Sequence, residues 1–125
     1  MDKDRFERGL AKRRAVLGAD YVDRALAQAD DFTRPFQEML TEYCWGFGWG
    51  DERLDARTRS LMNLTMIAAL NRMHEWETHL KGALTNGVTK GEIQAAIHQI
   101  AIYCGAPAAL ECFRIAARVL DERGV

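Results

Sequence analysis

The sequence predicts an all-α protein, a compact bundle of six or seven helices forming a single domain over residues 1–125. Three observations lead there. Apolar residues recur at three- and four-residue spacing along most of the chain. Alternating runs of β-branched residues are absent, and only two prolines, Pro35 and Pro107, interrupt the 125 residues.

The first helix is expected over about 3–17, with Phe6, Leu10, Val16 and Leu17 set among charges and a stop at Gly18. A short second helix, about 20–29, carries Val22, Leu26 and Ala29. The third starts near Thr33-Arg34-Pro35, where proline suits the first turn, and carries Phe36, Met39, Leu40 and Tyr43. Trp45 to Arg53 holds three glycines and three aromatics and reads as a loop without regular structure. A fourth helix follows over about 55–70. Its second half, Leu61 to Leu70, is apolar on nearly every side, which predicts a central buried helix. The fifth, about 72–85, stops at Asn86-Gly87. Thr89 and Glu92 have capping-box spacing and open the sixth, with Ile93, Ala96, Ile97 and Ile100 inside. Gly105-Ala106-Pro107 breaks the chain before a last helix to about Glu122.

Composition narrows the function classes. Hydrophobic residues make up 48% of the chain and charged ones 28%, enough for a core. Seventeen Lys and Arg against eighteen Asp and Glu leave a net charge of −1, without the basic excess of a nucleic-acid binder. Three cysteines, Cys44, Cys104 and Cys112, are too few and odd in number for a disulfide-stapled secreted domain, and they read as small buried hydrophobes. The charged start, Met1 to Arg5, lacks a signal-peptide pattern, and no apolar run reaches membrane-spanning length. A soluble, cytoplasmic protein with neither membrane nor nucleic-acid partner is expected.

Metal and thiol chemistry are poorly supported. His74 and His79 are five residues apart, so they diverge around a helix rather than sharing a face, and His98 stands on another element. No Cys-x-x-Cys occurs. Acid–base chemistry fits better. On the fifth helix Met73, Trp76, Leu80, Ala83 and Leu84 form an apolar stripe, and Arg72, Glu75, His79, Gly82 and Asn86 form a second stripe beside it. Glu75 and His79 are then i, i+4 neighbours, and a carboxylate there fixes the imidazole tautomer and raises its pKa. A solvated pair without a role has the same spacing. Gly82, a turn further on, leaves room for a ligand. Arg57, Arg59 and Arg72 are candidates to hold a substrate carboxylate, with ion pairing to Asp55 or Glu75 as the plainer alternative. Trp45, Phe47 and Trp49 could line a pocket or a subunit contact, packing on the protein's own core being the default.

Taken in order, these residues resemble the carboxymuconolactone decarboxylases, in the superfamily with the alkylhydroperoxidase D-like helical fold. The resemblance runs through Arg13-Arg14-Ala15-Val16-Leu17-Gly18, Tyr21 to Leu26, Trp45-Gly46-x-x-Trp49 and Arg57-Thr58-Arg59-Ser60-Leu61. It continues through Asn71-Arg72-x-x-Glu75-x-x-x-His79, Asn86-Gly87-Val88-Thr89 and Ile102 to Ala109. Peroxidase-type relatives carry Cys-x-x-Cys-x-x-x-His, and Arg72 and Glu75 occupy those two cysteine positions here.

What the resemblance implies is a cofactor-free decarboxylation of 4-carboxymuconolactone to 3-oxoadipate enol-lactone in aromatic catabolism. His79 would be the general acid and Glu75 its orienting carboxylate. Arg57, Arg59, Arg72, Trp45 and Trp49 would hold the substrate. No metal would take part, and the subunits would form a homo-oligomer, a hexamer or trimer. Two departures leave room for a different lactone or oxo-acid, or for a non-catalytic ligand-binding oligomer. Asp51-Glu52-Arg53 stands where the decarboxylases usually have Arg-Pro-Gly, and Met73-His74 precedes Glu75-Trp76 where acidic and aliphatic residues are usual.

Overall fold

The computed structural model describes all residues, Met1–Val125, and contains seven α-helices, one π-helix and no strand. The all-α expectation holds. No helix is long and apolar enough to cross a membrane. The chain divides into two compact units, Met1–Ala56 and Arg57–Val125, and each has an apolar cluster of its own.

In the first unit, α1 (Lys3–Leu17) is capped by Asp2, whose side chain accepts from the Arg5 amide. Gly18, at φ 95°, turns the chain into α2 (Ala19–Ala27) with no linker; a Cβ would strain that backbone. Next, α3 (Arg34–Met39) has Pro35 in its first turn and runs straight into the π-helix Leu40–Gly48. The Trp49 amide donates to the Cys44 carbonyl five residues back, at 2.9 Å.

The expected irregular loop is therefore corrected: regular structure continues as far as Gly48. Gly46 answers a different need, together with Gly9 of α1: the crossing of α1 over the π-helix. A Cβ on Gly9 would stand 2.1 Å from the Thr41 carbonyl oxygen, and one on Gly46 would stand 2.4 Å from the Arg5 carbonyl oxygen. The two backbones touch where side chains would have held them apart. Trp45 and Trp49 stack at 4.8 Å and pack with Val16, so both go to the core of their own unit. Phe47, between them, is exposed.

In the second unit, α4 (Ala56–Ala69), α5 (Met73–Thr85), α6 (Lys90–Cys104) and α7 (Ala106–Glu122) surround Leu64, Trp76, Leu80, Ile93, Ile97 and Ile100. The capping box at Thr89 and Glu92 is formed in both directions. The expectation for α4 is corrected. Ser60, Leu64 and Ala68 are buried, but Met62, Met66 and Leu70 face outward, so the helix is buried along one face only. The cysteine reading is corrected too: Cys112 is buried, whereas Cys44 and Cys104 are exposed.

Both ends of α5 are fixed by matching backbone locks. At its start Asn71 takes φ 58°, its amide bonds Ala68 O, and the Arg72 amide bonds Ile67 O, a Schellman turn with asparagine in the left-handed position. At its end Gly87 takes φ 87°, with Gly87 N–H on Leu84 O and Val88 N–H on Ala83 O. The rotation of α5 is thereby set, along with the direction in which each of its side chains leaves.

Candidate active site

Rotation about α5 decides which residues form a site. Trp76, Leu80 and Ala83 take the buried face, and the Trp76 indole N–H donates to the Leu64 carbonyl at 2.9 Å, anchoring α5 on α4. Glu77 pairs with Arg118 of α7 and with Lys81 at 3.2 Å, anchoring another side. What remains is the stripe Arg72, Glu75, His79, Gly82 and Asn86. Its C-terminal end is tied down by Asn86 Nδ2 donating to Ser60 Oγ of α4 at 2.9 Å. Ser60 is buried, Gly82 is buried, His79 is half-buried, and Glu75 is exposed.

This arrangement gives His79 a specific electrostatic character. Burial holds its imidazole below the ordinary value of 6.5, and the Glu75 carboxylate one turn away pulls in the opposite direction with the smaller effect. The Glu75 carboxylate acts in the direction the sequence argument expects, but desolvation outweighs it, so the net shift is downward. The shift favours the neutral imidazole, which donates from one ring nitrogen and accepts at the other.

The three candidate arginines are not brought together. Arg57 and Arg59 lie in the first turn of α4, and Arg72 lies just past its far end, roughly 20 Å away along the helix. Arg57 is bound to Glu92, the carboxylate that also caps α6 through the Thr89 amide. Its ion-pair partner is thus neither Asp55 nor Glu75. His79 sits midway along its stripe, about 10 Å of helix from Arg72 and from Asn86. A ligand at His79 could extend toward Arg72 in one direction, or toward Ser60 and its near neighbour Arg59 in the other. Trp45 and Trp49 belong to the first unit, where they are stacked on each other. His74 and His98 are exposed, His98 tilted against Phe113 at 5.9 Å.

Sequence reasoning missed the Ser60–Asn86 link. Asn86 carried a signal, since it falls on the Glu75/His79 stripe, but nothing in the sequence around Ser60 announced a buried hydroxyl facing it. The second unit contains cavities away from this stripe. A groove of about 560 Å³ between α6 and α7 is lined by Ile93, Ile97, Phe113, Ala116 and Leu120. A smaller one of about 290 Å³ is lined by Thr65, Gln99, Ile100, Tyr103 and Cys104. Neither is lined by Glu75 or His79.

Comparison with known proteins places these features in a wider group. Residues 34–118 match the model of the carboxymuconolactone decarboxylase family. The chain is 39% identical over 117 residues to the nitrosuccinic acid decarboxylase of Metarhizium robertsii, covering 94% of this chain and 82% of that protein. It is 35% identical over 124 residues to the 4-carboxymuconolactone decarboxylase of Acinetobacter baylyi, covering 99% and 92%. It is also 47% identical over 45 residues to a 4-carboxymuconolactone decarboxylase of Pseudomonas putida, covering 36% of this chain and 94% of that one.

Proposed function

The chain belongs to the carboxymuconolactone decarboxylase family, and from that membership we propose that it is a carboxy-lyase converting 4-carboxymuconolactone to 3-oxoadipate enol-lactone in aromatic catabolism. The observation that carries the reading is the Glu75–His79 pair on the α5 stripe, with a half-buried imidazole beside a buried glycine.

The chemistry asks little of the protein beyond binding and one proton. The departing carboxylate sits on the γ carbon of an α,β-unsaturated lactone. As its C–C bond breaks, the electron pair moves through the double bond to the lactone carbonyl, leaving CO2 and a dienolate. A proton delivered to the α carbon completes the product. The lactone is itself the electron sink, so no cofactor is required. His79 supplies the proton and Glu75 orients the ring and helps it regain one. The substrate's second carboxylate is held by one of Arg57, Arg59 and Arg72, of which Arg57 is already committed to Glu92. Trp45 and Trp49 have a weaker claim to substrate contact, since each is spent on the other and on Val16.

A second reading is favoured by the 39% identity to a nitrosuccinic acid decarboxylase. Nitrosuccinate follows the same logic with a different sink. Loss of the carboxylate next to the nitro-bearing carbon leaves a nitronate, and protonation of that carbon gives 3-nitropropanoate. Both substrates are dicarboxylates that carry their own electron sink. The deciding experiment offers each acid to the purified protein and measures CO2. Release from carboxymuconolactone is expected; release from nitrosuccinate alone would give the second reading, and release from neither would overturn both.

A homo-oligomer, as a hexamer or trimer, is part of the same proposal, and the surface of the second unit supports it. Leu70, Ile102, Tyr103 and Leu110 are 62–79% exposed, with Met62, Met66 and Phe113 partly exposed. Residues 60–71 and 93–110 carry no Asp, Glu, Lys or Arg. Exposed apolar side chains without charges among them are what an interface between subunits would cover. Light scattering is expected to give a multiple of the 14.1 kDa chain mass; a monomer at micromolar concentration would overturn it. A cytoplasmic location is proposed on the sequence alone.

A further inference from the structure

We infer that Arg13, in the first unit, is a binding site for a small-molecule carboxylate. Arg13 lies on α1 and is only 4% exposed. Nη1 donates to Thr41 Oγ1 at 3.1 Å and Nη2 to the Gln37 side-chain oxygen at 3.0 Å, both neutral acceptors. Nε is buried and has no hydrogen-bond partner at all. A buried cation with no counter-charge is an expensive arrangement, and an unfilled donor adds to the cost.

The unpartnered donor lies on a particular edge. Nε and Nη2 form one edge of the guanidinium, the edge on which a carboxylate sits side-on with two parallel hydrogen bonds. Another arginine in the same unit, Arg53, uses it in this way, and Arg14 turns the same edge to a single carboxylate oxygen. Arg53 donates from Nε to Asp51 Oδ1 at 3.0 Å and from Nη2 to Oδ2 at 2.6 Å, and Arg14 brings Nε at 2.9 Å and Nη2 at 2.7 Å to Asp23 Oδ1. Both are surface pairs, where water screens the attraction. Arg13, the one that needs an anion most, presents the same edge to an amide oxygen and to nothing.

Its neighbours supply a route. Thr41 is fixed, because its hydroxyl also donates to the Gln37 carbonyl at 2.8 Å, but the Gln37 side chain is half-buried and holds only Nη2. Tyr21 and Cys44, the ionisable groups that act on Arg13, both reach the surface. An incoming carboxylate displaces the Gln37 amide, takes Nε and Nη2 together, and neutralises the buried charge. None of this depends on the decarboxylase reading.

The test uses succinate and the full-length protein. In NMR spectra of arginine Nε–H groups, succinate is expected to shift the Arg13 resonance saturably, and sodium chloride at equal ionic strength is not. Calorimetric affinity for succinate should fall roughly tenfold or more in Arg13→Lys, whose single ammonium cannot form the side-on pair. Gln37→Ala, which removes the competing amide, should bind succinate more tightly. A resonance that ignores succinate or answers chloride equally overturns the site, as does a Gln37→Ala protein that binds no better than wild type. Because no readout involves turnover, a chain that releases no CO2 can still bind, and the two ideas fail separately.

Discussion

Alanine at position 79 is expected to lower kcat for CO2 release by about 10²–10⁴-fold, with little change in KM, because the missing imidazole acts on the proton in flight rather than on bound substrate. The pH profile identifies the group responsible. Burial keeps the His79 imidazole below 6.5 and the Glu75 carboxylate limits that fall. An acid that must be charged in the free enzyme gives a kcat/KM that declines as pH rises through its pKa, so the wild-type limb should have a midpoint below 6.5. Glu75→Gln removes the group that raises the imidazole pKa, so its limb should move to still lower pH while activity at pH 7 drops. His79→Ala should abolish the limb altogether. These measurements are made on whichever acid proves to release CO2. Undiminished turnover in His79→Ala, or an unchanged limb, removes His79 from the mechanism.

That prediction rests on a stripe the sequence displays openly, since i, i+4 spacing survives in any helix. Its electrostatic sign was not displayed. Spacing tells that a carboxylate is near an imidazole, but burial is a property of the surrounding fold, and here burial dominates. The same distinction separates the two halves of the chain. Asn86-Gly87 and the Thr89/Glu92 box are local signals, and both ends appear where expected. The π-helix was hidden because its glycines mimic a loop. Only a partner helix at the crossing point, with Gly9 against Thr41 and Gly46 against Arg5, reveals why side chains are excluded. Arg13 was legible only as one of many arginines, because an unfilled guanidinium edge depends on what three other residues do in space.

The α4 reading failed for a related reason. A helix apolar all round looks buried when its sequence is read by itself, yet each of its faces needs a covering element. One face of α4 has Trp76 and the core; the outward Met62, Met66 and Leu70 have none within the chain. Apolar content alone therefore does not locate burial within one chain, and the uncharged runs on α4 and α6 are what connect the sequence to the proposed oligomer.

Trp76→Ala is expected to cost about 3–5 kcal/mol, a large share of the stability of a unit of this size. Trp76 is completely buried and is the largest side chain in the core of the second unit. Alanine leaves a cavity that neighbours on four helices can only partly close, and it removes the indole N–H that anchors α5 to the Leu64 carbonyl. The two losses separate in Trp76→Phe, which keeps most of the ring volume and gives up the hydrogen bond, so it should be clearly less damaging than alanine. Urea unfolding followed by circular dichroism measures both, as a lower midpoint with alanine well below phenylalanine. The phenylalanine protein also links packing to chemistry. Trp76 and His79 leave α5 three residues apart, so losing the anchor lets the helix roll and moves the imidazole with it. Its kcat should then fall while the His79 limb of the pH profile persists. A Trp76→Ala protein that unfolds at the wild-type urea concentration would show that α5 is held by its two backbone locks and its ion pairs, and that the tryptophan is not the anchor.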